Sequence, residues 1–453
     1  MIKNLKIISS EFDQLPETSR NWMALCSPLR NVCLESPMLW TGERILFRPK
    51  TMNNLALYGG TPVREKPYPS WPAAEQLERD QLTEVLSSQQ WGGHGKTVAQ
   101  FETLFAGMHD CKYGIATATG TLALELALTA AGIGEGDEVI VPAHSFVATA
   151  TAVSRVRAVP VFVDIEHNSY GIDAERMNLA ITDRTRAAIV VHFGGLPVDM
   201  DRIGKISQDH KLVIIEDAAH AHGAEWHGQR VGSFGLCGTF SFQNSKTMTA
   251  GEGGILTTNS EELAIQARSV NDGGRRETEG WFNHFELGSN FRMTAFQAAL
   301  LSAQLQKLTE RIHLREENVE ILRDTVCTPG ISFQVQPDSV TAHSFYLLVG
   351  RIDEKTFGVN RDEFVKAMEA EGIPCRPFYP HPLYKNSLYT EPESPLHRVE
   401  PCPEAEFATK DSFWISHRAL AGSSEDTLDI SRAISKIHEA FQPEKSNGEP
   451  SIN

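Results

Sequence analysis

Short apolar runs alternate with helical patterns through the middle of the chain. Seven runs rich in β-branched and aromatic residues lie at 113–115, 138–141, 160–163, 187–191, 212–216, 239–242 and 254–257. Strands that alternate with helices predict a mostly parallel sheet wrapped by helices, and ligands bind beyond the carboxyl ends of its strands. The pattern therefore predicts an α/β fold with a seven-stranded sheet, and it places function in the loops after the strands.

The pattern changes at both ends of this region. Residues 293–322 carry a long amphipathic period that predicts one helix bridging two domains, and residues from about 326 to 440 predict a smaller α+β domain. Residues 1–52 have no sustained period, and Met52 could itself be a translation start. The tail is almost free of apolar residues and cannot bury enough surface to order itself. We expect an N-terminal appendage at 1–52, a large domain at 53–310, a small C-terminal domain at 311–441 and a disordered tail at 442–453.

Composition narrows the class of protein. The formal charge of −16 argues against nucleic acid and anionic membranes as partners, because both are bound through clustered Lys and Arg. The seven cysteines show no CxxC pair and read as reduced thiols. No run approaches the roughly 18 to 20 apolar residues of a membrane span, and the N-terminus does not look like a signal peptide. We expect a cytoplasmic protein.

Lys246 is the first candidate for chemistry. It stands between the strand-like run at 239–242 and a glycine-rich turn at 251–254. An ammonium beside a packed core must be desolvated or used chemically. Lys246 is therefore a candidate for forming a Schiff base.

Two further motifs follow predicted strands. Gly120 and Thr121 open a strong helix-forming run, where exposed amides and the helix dipole favour a phosphate. Taken alone, an ordinary capped turn is the simpler interpretation. Asp217 ends a buried strand and could hold a heteroaromatic nitrogen protonated, or it could cap a following helix.

Two more side chains belong with these motifs. Phe146 follows another strand and could lie flat on a planar cofactor, although an aromatic residue at a strand end is more often part of the core. Ser241, five residues before Lys246, could reach the same phosphate as Thr121.

The ordered motifs resemble the DegT/StrS family of aminotransferases. They lie at 119–121, 136–142, 216–224, 241–246, 251–254 and 288–293. The resemblance runs from about residue 55 to about 437. It implies the fold of type I enzymes that use pyridoxal 5'-phosphate, and the transfer of an amino group from glutamine or glutamate to a keto-sugar or keto-cyclitol.

The resemblance also implies roles for single residues. Lys246 would hold the cofactor as a Schiff base and move the proton, and Asp217 would pair with the pyridinium nitrogen. Phe146 would stack on the ring, and Thr121 with Ser241 would bind the phosphate. Asn290 would reach the phosphate of the cofactor bound in a neighbouring subunit. This role implies a homodimer with shared active sites.

The family resemblance implies roles less directly for a few other residues. His220 stands where many relatives have Gln near the ring hydroxyl, and its charge is expected to depend on pH. Tyr379, His381 and Tyr384 fall in the family's substrate-facing loop, and His284 lies in another loop near the site. Loop packing is the commoner role for each of these residues, because Pro-rich aromatic loops commonly pack on themselves.

Three alternatives remain open at this point. One is a metal hydrolase, in which imidazoles and a carboxylate bind the metal. Its ligands would be His192, Asp217, His220, His222 and His227. This alternative leaves Lys246, Thr121 and Ser241 unexplained. Another is a non-catalytic protein that only binds the cofactor. Within the aminotransferases, residues 221–228, 240–254 and 413–418 resemble the branch of scyllo-inosose aminotransferases and aminohydroxybenzoate synthases more than the nucleotide-sugar branch. The first branch serves aminocyclitol or antibiotic biosynthesis.

Overall fold

The computed structural model describes residues 38–41, 44–47, 50–276 and 279–442. Most of the predicted N-terminal appendage and the predicted tail after Gln442 lie outside the described residues. Within the appendage, two short strands pair as an antiparallel hairpin, with Met38 opposite Phe47. The predicted domain boundaries stay a prediction.

Four sheets organise the described chain. The strands are β1 (Met38–Thr41), β2 (Arg44–Phe47), β3 (Tyr113–Thr117), β4 (Glu138–Pro142), β5 (Val159–Val163), β6 (Thr185–Val191), β7 (Val213–Asp217), β8 (Glu225–Trp226), β9 (Gln229–Arg230), β10 (Cys237–Ser241), β11 (Gly254–Thr258), β12 (Ile331–Phe333), β13 (Val340–Ala342), β14 (Leu347–Ile352), β15 (Cys375–Pro377), β16 (Arg398–Val399) and β17 (Ser412–Ser416). The large sheet has the order β16-β5-β4-β6-β7-β10-β11-β3, and β12-β14-β17-β15 form an antiparallel sheet in the C-terminal part.

The large sheet confirms the predicted α/β class and all seven predicted strands, but it has eight strands. The extra strand, β16, comes from the C-terminal part of the chain and pairs in parallel with β5. Two residues are too few to show a hydrophobic period, which is why the sequence did not predict this strand. Only β11 runs against its neighbours β10 and β3.

Helices cover the sheets. They are α1 (Gln76–Ser88), α2 (Lys96–Met108), α3 (Gly120–Ala130), α4 (Ala148–Arg155), α5 (Ala174–Leu179), α6 (Met200–His210), α7 (Glu261–Asn271), α8 (Ala295–Leu305), α9 (Leu308–Thr325), α10 (Glu354–Phe357), α11 (Arg361–Ala370), α12 (Ser387–Thr390), α13 (Pro403–Asp411) and α14 (Ser424–Phe441). Several begin with side-chain caps from Ser, Thr, Asp or Asn, which satisfy amide groups that the helix leaves free.

The prediction of one bridging helix at 293–322 is wrong. The segment forms α8 and α9, which break at Gln306 and Lys307. The two helices pack on different partners: α8 lies on α1 and α2, while α9 lies on α14. At the break, the Lys307 ammonium lies 2.8 Å from the buried Glu78 carboxylate of α1.

Packing crosses between the two predicted domains. Leu55 and Tyr68, from the beginning of the regular chain, are buried with α9, α11 and α14. In the opposite direction, Leu383, Tyr389 and Ala405 join the core of the large sheet. These contacts hold the C-terminal loops against the carboxyl ends of the large sheet. Among the described residues, no helix has the length and apolar character to cross a membrane.

Candidate active site

The carboxyl ends of β7 and β10 bring Asp217 and Lys246 to one edge of the sheet. The strands are parallel neighbours, with Asp217 in register with Thr239. Lys246 lies in the loop after β10, where its own amide donates to the Gln243 carbonyl at 2.9 Å. Phe242 closes the loop by donating its amide to Gly253 and accepting from Ala250. This edge of the sheet is the expected place for a ligand in an α/β fold.

Lys246 is half-buried, and its ammonium lies 4.5 Å from the centre of the Tyr346 ring. Among the described residues, no carboxylate forms a salt bridge with it. Burial lowers the pKa of Lys246 to about 8, and the charge of Asp217 opposes that shift. A substantial fraction of the amine is therefore uncharged near neutral pH and able to act as a nucleophile.

Asp217 is buried, with 6% of its surface exposed. Its Oδ2 accepts a hydrogen bond from the Thr149 hydroxyl at 2.8 Å, and its Oδ1 accepts from the Ala219 amide at 3.3 Å. Burial raises the pKa of this carboxyl, while the bond from Thr149 acts in the opposite direction. No helix begins after Asp217, so the alternative of a helix cap is wrong. The carboxylate is fixed in place and aimed by two donors.

Gly120 and Ser241 meet at the beginning of α3. A Cβ added to Gly120 would lie 2.6 Å from the Ser241 Cβ and 3.1 Å from its hydroxyl oxygen. The Thr119 hydroxyl caps the helix by accepting from the Leu122 amide, so the capped turn and the cradle coexist. Thr121 is half-buried in the first turn. Free amides, a helix dipole and the Ser241 hydroxyl thus meet at the beginning of α3, which suits a phosphate.

His220 is buried and faces Tyr346, with 4.4 Å between the ring centres. Its Nδ1 accepts from the Gly194 amide at 3.3 Å, so the neutral ring carries its proton on Nε2. Burial and the charge of Lys246 lower the pKa of His220 well below its ordinary value. The expectation of a charge that varies near neutral pH is corrected: the ring is a neutral hydrogen-bond donor there.

Phe146 lies on the loop after β4 and is 54% exposed. The same loop carries Ser145, whose hydroxyl lies 3.0 Å from that of Thr149 in the first turn of α4, and the Thr149 hydroxyl donates to Asp217. Phe146 is therefore not part of the core, contrary to the commoner role of an aromatic residue at a strand end. Its exposed ring, close in sequence to residues that contact Asp217, suits a planar ligand.

Asn290 and His284 lie on the exposed loop that follows α7. The backbone of Asn290 bridges to Asp272, and the His284 Nδ1 lies 2.7 Å from the Gly273 carbonyl. Within the described part of the chain, neither side chain is hydrogen-bonded to Lys246, Asp217 or Ser241. The structure does not bring these two residues to the site of the same chain through direct contacts.

The three predicted residues of the small domain take different positions. The Tyr379 ring packs between His144 and Trp414, at 5.2 and 5.3 Å, and its pKa is raised by burial, with smaller contributions from Tyr346 and Asp217. Tyr379 therefore faces the site. The half-buried His381 lies against the carbonyl of its neighbour Pro382.

Tyr384 faces away from these groups. Its hydroxyl donates to Glu406 at 2.9 Å, and that carboxylate also pairs with Lys385. This bond anchors α13 and leaves the predicted contact with substrate without support from the geometry.

Two residues of the site were missed by the sequence reasoning. Tyr346 contacts both Lys246 and His220 and shares a 2.8 Å hydrogen bond with the Ser245 hydroxyl. Thr149 is the hydrogen-bond partner of Asp217. The position of Tyr346 directly before β14 was a usable signal, whereas nothing in the sequence pairs Thr149 with a strand 68 residues away.

The histidines of the metal-hydrolase alternative have separate partners. His192 lies 3.1 Å from Glu216, His222 contacts Thr247, and the exposed His227 pairs with Asp201. In residues 50–276 and 279–442, no group of three ligating side chains is placed to hold a metal. The separate partners of these histidines give the metal-hydrolase alternative no support among the described residues.

The arrangement fits pyridoxal 5'-phosphate. The glycine at 120 lets Ser241 lie directly against the beginning of α3, where free amides suit a phosphate. Lys246 offers an amine that has no salt bridge among the described residues, and Asp217 offers a buried carboxylate. Such a site on a mostly parallel sheet defines the class of fold type I enzymes that depend on this cofactor.

The chain belongs to the DegT/DnrJ/EryC1/StrS aminotransferase family, whose model matches residues 72–434. It is 36% identical over 413 residues to the L-glutamine:2-deoxy-scyllo-inosose aminotransferase of Streptoalloteichus tenebrarius, covering 85% of this chain and 97% of the relative. It is 36% identical over 370 residues to the 3-amino-5-hydroxybenzoate synthase of Amycolatopsis mediterranei, covering 79% and 94%.

Solved structures agree with this assignment. A crystal structure of 3-amino-5-hydroxybenzoic acid synthase matches with a TM-score of 0.77 at 34% identity, covering 82% of this chain and 98% of that one. DesI, solved with its TDP-sugar product, matches with a TM-score of 0.76 at 27% identity, covering 85% and 96%. The protein is a pyridoxal-phosphate-dependent aminotransferase, and the alternative of a protein without catalysis is not supported.

Proposed function

We propose that this aminotransferase moves the amino group of glutamine to a free keto-cyclitol, a polyhydroxylated six-membered ring without a nucleotide. The observation that carries the proposal is the similarity over 85% of the chain to an aminotransferase named for glutamine and 2-deoxy-scyllo-inosose. Glutamate is the alternative donor. The product would enter aminocyclitol or antibiotic biosynthesis.

Each residue of the site has a separate chemical role in this proposal. Pyridoxal phosphate supplies an aldehyde that takes the amino group and a ring that accepts the charge of the reacting carbon. Lys246 would hold the cofactor covalently and would then move a proton, for which its pKa of about 8 is suited. Asp217 would keep the ring nitrogen protonated, and Thr149 holds the carboxylate in position.

The remaining groups orient the cofactor and the acceptor. Gly120, Thr121 and Ser241 would bind the phosphate, and Phe146 would cover one face of the ring. His220 would donate its Nε2 proton to the ring hydroxyl, since its Nδ1 is already an acceptor. Tyr379 and Tyr346 present hydroxyl groups towards the acceptor, while His284, His381 and Tyr384 stay as weaker predictions for substrate contact.

Two other acceptors are alternatives to the keto-cyclitol. Aminohydroxybenzoate-synthase chemistry is favoured by the 34% identity to the solved synthase, and a nucleotide-keto-sugar acceptor is favoured by the likeness to DesI. All three acceptors need the same cofactor site, so they differ only in the residues that surround the acceptor.

We also propose a cytoplasmic homodimer. The loop that carries Asn290 exposes four large apolar side chains, which are Trp281, Phe282, Phe285 and Leu287, with Leu287 97% exposed. Exposed apolar groups in one loop are typical of a surface that another chain covers. The cysteines of the described chain are free, which suits a reducing compartment.

The cofactor assignment is tested by reduction with borohydride. Purified protein should be yellow, and reduction should fix the cofactor on a peptide that contains Lys246, as mass spectrometry would show. Lys246→Ala should lose the fixed cofactor and roughly 10²-fold or more of the activity, because a positioned base is lost. Lys205→Ala, an exposed lysine of α6, is the matched control. The same fixed cofactor in Lys246→Ala would refute the role of Lys246.

The acceptor is tested in the same protein with glutamine as donor. A keto-cyclitol, a nucleotide-keto-sugar and an aminohydroxybenzoate precursor are offered separately, and amination is followed by mass spectrometry. The proposal expects the keto-cyclitol to react with the highest kcat/KM. A preference for the nucleotide-linked substrate would overturn the acceptor assignment while leaving the cofactor site intact.

A further inference from the structure

A cavity other than the candidate active site lies beside the loop that carries Lys246. It has a volume of about 200 Å³, opens to the surface, and is formed by α9, the segment before α1 and residues 417–421. Its wall includes the apolar side chains Trp71 and Leu314, the three arginines Arg311, Arg315 and Arg418, and His417, a neutral ring because burial lowers its pKa to about 3. No carboxylate of the described chain is among the residues that form it. The cavity therefore combines an apolar wall with an excess of positive charge.

Arg315 is the unusual member of this set. Only 2% of its surface is exposed, its Nε donates to the Ser344 carbonyl at 2.8 Å, and its Nη2 is buried without a partner. Across the ranges that the structure describes, it has no salt bridge. Burial lowers the pKa of Arg315 to about 9, with a further contribution from the charge of Arg311. A buried cation without a counter-ion is costly, so an anion at this position would be strongly favoured.

The other two arginines of the cavity differ in how many of their N–H groups are free to bind a ligand. Arg311 is already paired with Glu75 at 3.0 Å. The exposed Arg418 uses its Nε to donate to the Pro69 carbonyl at 3.2 Å, which leaves the rest of its planar group facing the cavity. Arg418 therefore offers free N–H groups at the cavity surface, while Arg315 contributes the charge of a guanidinium buried in the wall.

We propose that this cavity binds a small organic carboxylate, whose charge pairs with Arg315 and Arg418 and whose apolar body lies against Trp71 and Leu314. Guanidinium groups match the planar, two-oxygen geometry of a carboxylate. The indole ring of Trp71 gives a flat surface for an aromatic or aliphatic body. This site is separate from Gly120, Ser241 and Asp217 and goes beyond the proposed amino transfer.

His417 connects the cavity to the catalytic loop. Its ring lines the cavity, its Nε2 lies 3.1 Å from the Ser245 carbonyl, and its centre lies 6.0 Å from that of Tyr346. Ser245 directly precedes Lys246. A carboxylate in the cavity therefore lies next to the histidine that supports this loop, and binding should stabilise the folded enzyme.

The test is isothermal titration calorimetry of the yellow holoenzyme with benzoate, benzamide and inorganic phosphate as probes. Benzamide keeps the body of benzoate without the charge, and phosphate keeps charge without the apolar body. We expect one benzoate per chain and a higher midpoint of thermal unfolding with benzoate present. Both other probes should bind at least about tenfold more weakly, because each loses one part of the recognition.

Two variants and one control localise the binding. Arg315→Gln and Arg418→Gln should each weaken benzoate binding about tenfold or more, since each removes a positive charge from the wall that holds the carboxylate. Arg323→Gln, which changes a more exposed arginine further along α9, should leave it unchanged. If Arg315→Gln does not fold, the exposed Arg418→Gln decides alone.

Each outcome of these experiments either supports or overturns the proposed carboxylate site. Absence of benzoate binding at millimolar concentration, or binding that both variants retain, would overturn the proposal. Phosphate or benzamide binding as tightly as benzoate would also overturn it, because charge and apolar body would not then act together. Loss of benzoate binding in both variants, with Arg323→Gln unaffected, would establish the site.

Discussion

Single residues set the chemistry of the site through their surroundings. Lys246 could be identified from its sequence because a lysine between a core strand and a glycine turn is rarely structural. Its environment could not be, since Tyr346 and Asp217 come from other parts of the chain. The same holds for His220, whose neutral state depends on the Gly194 amide and on burial. Protonation states of buried groups are tertiary properties.

The amine of Lys246 should therefore titrate at an unusually low pH. In cofactor-free protein, timed acetylation followed by peptide mass spectrometry should show reactivity that rises with a midpoint near pH 8, because burial lowers the pKa of Lys246. Asp217→Asn should move that midpoint lower, since the carboxylate charge raises the pKa in the native protein. A midpoint near the ordinary lysine value of about 10.4, or no response to Asp217→Asn, would contradict this account.

Elements place these residues together. The seven strands that the sequence predicted put Asp217 and Lys246 at one edge of the sheet, because parallel strands share their carboxyl ends. The break between α8 and α9 was not predictable from the apolar period, which continues through it. It results from the different surfaces on which the two helices pack. β16 was missed because a two-residue edge strand depends on its neighbour β5.

The contact between the beginning of α3 and the end of β10 can be tested with one methyl group. In Gly120→Ala the new Cβ would lie 2.6 Å from the Ser241 Cβ, so α3 and β10 must separate. We expect the dissociation constant for pyridoxal phosphate, measured by absorbance or fluorescence, to rise about tenfold or more because phosphate contacts are lost.

A glycine in another helix supplies the control. Gly107 lies in α2, and a Cβ there would meet no atom within 4 Å. Gly107→Ala should bind the cofactor normally and stabilise the fold by roughly 0.5–1 kcal/mol, as alanine does in helices. Equal cofactor affinity in Gly120→Ala and Gly107→Ala would argue against the phosphate cradle.

At the scale of the whole molecule, the site is complete only in the proposed dimer. Asn290 is exposed and has no direct contact with the site of its own chain among the described residues, although the resemblance assigns it to a cofactor phosphate. In the proposed dimer, an asparagine from the second subunit would resolve this difference. The exposed apolar side chains of the same loop would then be buried in the interface.

Mixed dimers test this sharing. Lys246→Ala and Asn290→Ala should each be nearly inactive alone. After the two are unfolded and refolded together, activity should recover to about a quarter of the wild-type value, because half of the dimers are mixed and each restores one site. Refolding each variant separately is the control. No recovery, in a preparation shown to contain mixed dimers, would contradict shared active sites.

Local periods and motif spacing along the chain were sufficient to predict the α/β class, the seven main strands and the family. These features depend on local periods and on motifs whose spacing is read along the chain. The tertiary structure alone decided the neighbours: Thr149 on Asp217, Tyr346 on Lys246, and the unpaired Arg315 beside the cavity of the proposed carboxylate site. Burial and contact join residues that are far apart in the chain, and a linear pattern carries no record of those distances.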